Sequence, residues 1–284
     1  MRCQLSHHTR YDFGRPVFLE PHLVRLLPRG DAGQRLLELA VDIDPAPAGR
    51  AACLDFFGNT VLSAWFSSLT DHLDVRVTAT VETLRANPFE YLIDTGQCRL
   101  PVPLSPAEAL AAAPCLAPVG LPHGRAAALA EALRRDGADT PQGFALTLLG
   151  WLAEHVATVG REEAGLLSPD ALLAAGEGAC RDLAVCYLAA CRHVGLPARF
   201  VSGYHEGDPG REDRDLHAWA EVWLPGGGWR GFDPSLGLAV ADRHVAVAAA
   251  GDPADAAPVA GTFRGEAPAP RLSHAIRLTM APHG

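Results

Sequence analysis

Gly178-Ala179-Cys180-Arg181-Asp182-Leu183-Ala184 decides the reading of this 284-residue chain. Two glycines, Gly176 and Gly178, lead into a thiol, and the run after the thiol reads as a helix that stops at Gly195-Leu196-Pro197. Leu183, Tyr187, Ala190, Cys191 and Val194 recur at helical spacing, so the helix belongs in a core, with Cys180 at its N-terminus. Unpaired N–H groups and the helix dipole favour negative charge there, and the thiolate is the nucleophilic form of cysteine. The Cys180 N–H is placed to bind a developing oxyanion, and Gly178 lets backbone or substrate approach closely. Cys186 lies about 240° around the helix from Cys180, and Cys191 roughly 16 Å along it. Both read as buried small side chains rather than partners of Cys180.

An imidazole and a carboxylate follow. His217-Ala218-Trp219-Ala220-Glu221-Val222-Trp223-Leu224 alternates as a strand, Gly226-Gly227-Gly228 turns the chain, and Trp229-Arg230-Gly231-Phe232-Asp233 returns as its hairpin partner. Only pairings with an even index sum put His217 and Asp233 on the same face. Pairing Trp223 with Trp229 sets Asp233 opposite Trp219, one diagonal step of roughly 7–8 Å from His217 and within side-chain reach. That register is predicted. Cys180, His217 and Asp233 then form a nucleophile, a base and a residue that orients the base.

Before this unit, residues up to about Leu84 read as strands separated by breakers at Pro28 to Gly33, Pro45 to Gly49 and Gly58-Asn59. The spacing predicts a small antiparallel β-sandwich over residues 1–86. A proline-rich stretch from Asn87 to Pro103 marks the boundary, and residues 87–284 form the second domain. Helices are expected over Ser105 to Leu110, Arg125 to Arg135 and Gly143 to Val156, with another opened by Ser168-Pro169. Strands follow from Ala198. The fold class is α+β, with a central helix packed on an antiparallel sheet.

A hydrophobic content of 48% supports a folded core, and a net charge of −9 with no Lys/Arg cluster argues against nucleic-acid and anionic-membrane partners. Seven cysteines and an N-terminus without an apolar leader point to reduced thiols and a cytoplasmic protein. Asp208, Glu212, Asp213 and Asp215 read as a solvated loop. His7-His8 lacks the partners of a metal site, and no calcium loop of the EF-hand type is present, so neither cofactor nor metal is expected.

The combined strings, with Gly195-Leu196-Pro197-Ala198-Arg199-Phe200-Val201-Ser202-Gly203-Tyr204, resemble the bacterial transglutaminase-like cysteine enzymes. Pro21-His22-Leu23-Val24-Arg25-Leu26-Leu27-Pro28 and Asp55-Phe56-Phe57-Gly58-Asn59 resemble the β-sandwich that precedes the catalytic core in that family, and His244-Val245-Ala246-Val247-Ala248 resembles its C-terminal strands. The resemblance implies a papain-like core with Cys180, His217 and Asp233 as the triad, and peptide or protein amides as substrates. Gly178, Tyr204 and Trp219 are the candidate substrate contacts. Hydrolysis of an acyl-thioester, as in a cysteine peptidase or amidase, is the expected activity. Transfer of the acyl group to an amine is the alternative, and an inactive binding or scaffold protein of the same fold is the second. Two departures stand out. The family's usual Gly-Arg-Asp reads Ala250-Gly251-Asp252 here, and Val156-Ala157-Thr158-Val159 lacks the aromatic commonly found in that segment.

Overall fold

The computed structural model describes residues 1–92, 98–161, 163–207 and 214–282. Its first half is a pair of antiparallel sheets. Strands β1 (Arg2–Leu19), β3 (Gln34–Asp44) and β6 (Leu69–Thr83) build one sheet, and β2 (His22–Val24), β4 (Gly49–Leu54) and β5 (Thr60–Trp65) build the other. Period-two patterning sends Leu73, Val75, Val77, Ala79 and Val81 of β6 to a single face. Part of that face, with Phe13, Val17 and Leu19 of β1, packs on Val24, Leu62 and Ala64 of the second sheet, which makes the expected sandwich.

Five α-helices follow among the described residues: α1 (Pro106–Leu116), α2 (Arg125–Arg135), α3 (Pro141–His155), α4 (Pro169–Ala175) and α5 (Cys180–His193). Ser105 and Ser168 cap α1 and α4 through their hydroxyls, with proline at the first helical position of each. α1 runs past the expected end at Leu110 to Leu116, with Pro114 inside its last turn. Strands β7 (Ala198–His205), β8 (His217–Leu224), β9 (Gly228–Asp233) and β10 (His244–Ala250) form the second-half sheet, ordered β9-β8-β7-β10 with a short Leu238–Ala239 strand beside β9. Trp223 faces Trp229 and Ala220 faces Phe232, the even register that brings Asp233 level with Trp219. α5 lies across this sheet, and every residue from Asp182 to Arg192 is buried because α2, α3 and α4 cover its other sides.

The tail does not remain with the second half. β11 (Arg271–Ala281) pairs along β1 from Asp12 back to Arg2, and Val259–Ala260 and Phe263–Arg264 add to β2 and β1. A division into 1–86 and 87–284 therefore assigns to the second domain strands that hydrogen-bond to the first. The reason is an open edge: β1 pairs with β6 on one side only, and its other row of N–H and C=O groups needs a partner.

Two further contacts join the halves. Cys3, Leu5, Ala79 and Val81, on the face that also packs the sandwich, meet Tyr204, Val245 and Val247 of the second-half sheet. β10 is the edge of that sheet, and two buried amide side chains finish it. Gln34 donates Nε2–H to the Ala246 carbonyl and accepts the Ala246 N–H, both at 2.8 Å. Asn59 does the same for Ala249, at 2.9 and 2.8 Å. Asn59→Ala leaves a buried N–H and C=O without partners, at about 1–3 kcal/mol each. Urea titration is expected to show a loss of roughly 2–6 kcal/mol; a change below about 0.5 kcal/mol, typical of a surface substitution, would contradict this role of the amide.

Candidate active site

Cys180 is the first residue of α5, half-buried, and stands beside the His217 imidazole, whose pKa it raises. His217 Nε2 donates to Asp233 Oδ2 at 2.6 Å, which leaves Nδ1 as the nitrogen that faces the thiol. The three groups come from a helix start, the first residue of β8 and the last of β9. Asp233 is fully buried, and its other oxygen, Oδ1, accepts Ser235 Oγ–H at 2.6 Å, Ser235 N–H at 3.1 Å and Leu236 N–H at 3.2 Å. The carboxylate thus forms the turn after Asp233-Pro234 with one oxygen and holds the imidazole with the other.

Burial works against ionisation of Asp233, but hydrogen bonds from His217, His244 and Ser235 outweigh it and hold the carboxyl well below the usual range. Burial also opposes the His217 imidazolium. The bond to Asp233 and the neighbouring Cys180 outweigh it and raise the pKa to about 10. Two more imidazoles stand beside these. His205 and His244 have ring centroids 5.8 and 6.0 Å from that of His217, and His244 Nε2 is 3.1 Å from Asp233 Oδ2. Burial and the adjacent imidazoles push His205 down to about 4.

The helix start is fastened by residues whose roles the sequence did not reveal. Asp182, fully buried, accepts the Ala179 N–H at 2.9 Å, the Leu167 N–H at 2.8 Å and Arg161 Nη1 at 2.6 Å. Arg181 reaches back to the carbonyls of Glu163 at 2.7 Å and Gly165 at 3.1 Å. The Arg-Asp pair after the cysteine therefore ties the preceding segment to the turn that presents the thiol. The adjacency of a cation and an anion in Cys180-Arg181-Asp182 was the available signal.

The three expected substrate contacts are all buried. Tyr204 is 1% exposed and shares a 2.7 Å hydrogen bond with His7 of β1, so it belongs to the junction between the halves. Trp219 is 1% exposed and packs among Val201, Ala246 and Ala249, with its ring against His244. Each side chain faces a surface of the sheet that other structure covers, which strand periodicity alone does not reveal. Gly178 is buried as well: a Cβ there would sit 2.3 Å from Leu172 Cδ1, so glycine permits close packing of α4. Gly251, where the family usually has arginine, gives the same result, since a Cβ would meet the Pro114 carbonyl oxygen at 2.6 Å. No side chain fits there.

His217, Asp233 and His244 place donor atoms within 4.8 Å of one another. The 2.6 Å separation of His217 and Asp233 is that of a hydrogen bond and is shorter than the about 3.3 Å between two donors on one tetrahedral zinc. The group is spaced as a hydrogen-bond network. Asp44, His72 and Asp74 are also close, but Arg10 and His8 already pair with Asp74. In the acidic stretch, Asp208, Glu212 and Asp213 lie outside the described residues; Asp215 is exposed, 2.9 Å from His274 Nε2.

Comparison with known proteins agrees with this architecture. Residues 3–82 match the bacterial transglutaminase-like N-terminal region, and residues 127–234 match the transglutaminase-like superfamily. Uncharacterized proteins of Mycobacterium tuberculosis and Mycobacterium bovis are each 30% identical over 92% of this chain and 87% of theirs. One of Mycobacterium leprae is 26% identical over 93% of this chain and 94% of its own. A solved structure from Cytophaga hutchinsonii, described as a candidate cysteine protease, superposes with a TM-score of 0.70 at 19% identity, covering all of this chain and 92% of that one. The likeness shows the fold.

The raised His217 pKa has a stability consequence with a definite sign. A group held at about 10 in the folded protein against 6.5 unfolded contributes stability that is complete below pH 6.5 and is lost as the pH rises toward 10. Thermal melts of the wild type and His217→Ala are expected to differ most below pH 6.5 and to converge toward pH 10. A constant difference across that range would contradict the imidazolium assignment.

Proposed function

Because the chain belongs to the transglutaminase-like superfamily, we propose that it is a cysteine-nucleophile amide hydrolase that acts on peptide or protein amides through an acyl-thioester. One observation carries this reading: the His217 imidazole, hydrogen-bonded to the buried Asp233, stands beside the half-buried Cys180 thiol at a helix start. His217 Nδ1 holds the thiol proton as the imidazolium, and the Cys180 thiolate attacks the amide carbon. A C–S bond forms while the carbonyl oxygen gains charge. The Cys180 N–H, in the first turn and without a partner inside the helix, is the donor placed to meet that charge.

Collapse breaks the C–N bond, and His217 passes its proton to the leaving amine. Water, deprotonated by His217, then attacks the thioester and releases the acid and the thiol. Asp233 keeps Nε2 protonated throughout and stabilises the imidazolium. The substrate is a peptide or protein chain, and no metal or cofactor enters these steps. Cys3, Cys53, Cys115, Cys180, Cys186 and Cys191 are free thiols, which fits a reducing compartment, and we place the enzyme in the cytoplasm.

A glutamine-containing peptide supplied with a labelled primary amine separates the two acyl acceptors. The expected products are the acid and ammonia, without label, and Cys180→Ala is expected to lower turnover at least about 1,000-fold. Stable label on the peptide would replace hydrolysis by acyl transfer, and turnover retained in Cys180→Ala would remove the thioester.

A further inference from the structure

Asp233 Oδ2 serves two imidazoles. His217 Nε2 is 2.6 Å away, and His244 Nε2, from the first residue of β10, is 3.1 Å away. The His244 side chain is 2% exposed, and its Nδ1 has no hydrogen-bond partner among the described residues. An ionised carboxylate oxygen at 3.1 Å requires a proton on Nε2, because two lone pairs would otherwise meet. His244 is therefore the Nε2–H tautomer with a bare Nδ1. Burial lowers its pKa, and the His217 charge lowers it further, against the pull of Asp233. It stays neutral.

A neutral N–H directed at a carboxylate puts the positive end of a dipole on the oxygen that also holds His217. Two effects follow. The carboxylate is fixed between donors on β8 and β10 as well as by its own turn, and its field at His217 is reduced. The second effect matters for chemistry. An imidazolium gripped too tightly is a poor acid toward a leaving amine and a poor base toward water, since both roles work best with a pKa near the working pH. The titratable groups that face His217 are Cys180 from α5, Asp233 from β9, His205 from β7 and His244 from β10. Those that face His244 are Asp233, His217 and His205, whose ring centroid is 4.5 Å away. Of the two flanking imidazoles, only His244 bonds to the carboxylate.

We propose that His244 is a positioning residue of the Cys180–His217–Asp233 relay, whose Nε2–H, bound to the same Asp233 oxygen as His217, orients the carboxylate and limits its hold on the His217 proton. This rests on the hydrolase reading for its purpose, but its physical content can be tested without substrate. Nitrogen-15 histidine NMR, titrated from pH 5 to 11, reads the tautomer and charge of each imidazole in the full-length wild type, His244→Gln and His244→Leu. Glutamine can return an N–H to the Asp233 oxygen; leucine cannot.

Wild-type His244 is expected to be the neutral Nε2–H form from pH 7 to 9 and to titrate below the ordinary imidazole value. The His217 pKa is expected to rise by about half a unit or more, a threefold change in proton affinity, in His244→Leu and to stay near wild type in His244→Gln. Turnover on the glutamine peptide is expected to fall about tenfold in His244→Leu through kcat, with KM within about twofold. An Nδ1–H tautomer, a His244 that titrates near 6.5, or a His217 pKa unmoved in His244→Leu would overturn the proposal. If His244→Leu does not fold, the wild-type tautomer and the glutamine variant still decide. The predicted imidazole behaviour in a protein that does not hydrolyse the glutamine peptide would instead sink the hydrolase reading.

Discussion

A carboxylate with no access to water must be surrounded by donors, and Asp233 has five of them: the imidazoles of His217 and His244, the Ser235 hydroxyl, and the N–H groups of Ser235 and Leu236. Much of the second half can be described by what it does to assemble that shell. The hairpin must have the even register, or His217 would point away. β10 must lie at the edge of the sheet with its first residue level with the site. The turn after Pro234 must close on the free oxygen. Breaking any one of these leaves a buried charge short of partners, which is far costlier than the worth of a single hydrogen bond.

The sandwich matters to the site through β10. One face of the first sheet is shared: toward one end it packs against its partner sheet, and toward the other it packs against Tyr204, Val245 and Val247. Gln34 and Asn59 then occupy the outer hydrogen-bonding positions of β10 at Ala246 and Ala249. An edge strand that would otherwise be open is completed by side chains from the other half, a few residues from His244. The first half is therefore part of what positions the second imidazole, and the returning tail on β1 locks that half in turn.

Much of this was legible in the sequence because it is local. The helix after Cys180 carries its own periodicity and its own stop, and the hairpin register follows from five residues between two tryptophans. Asp233 reads in the sequence as a partner of His217, and in the structure it also closes the turn after Pro234, one role for each oxygen. What stayed hidden depends on contacts distant in the chain. Tyr204 and Trp219 lie on opposite faces of the second-half sheet, and only distant packing, against the sandwich for Tyr204 and among Val201, Ala246 and Ala249 for Trp219, makes each interior. Nothing near Arg271 indicates that β1 has a free edge 260 residues earlier, and nothing near Asn59 indicates a strand in need of an amide. His244 was legible as the start of a strand but not as a partner of Asp233, because the pairing that brings it there runs through β7.

The central claim is that the relay makes Cys180 the reactive thiol of this protein, and an internal control is available in Cys53, which is exposed and distant in the chain. Limiting iodoacetamide at pH 6.5, followed by peptide mapping of the native protein, compares the two directly. The account predicts carboxamidomethylation at Cys180 ahead of Cys53, with the Cys180 rate falling at least about tenfold in His217→Ala and Cys53 unchanged. Faster modification of Cys53, or a Cys180 rate indifferent to His217, would contradict it.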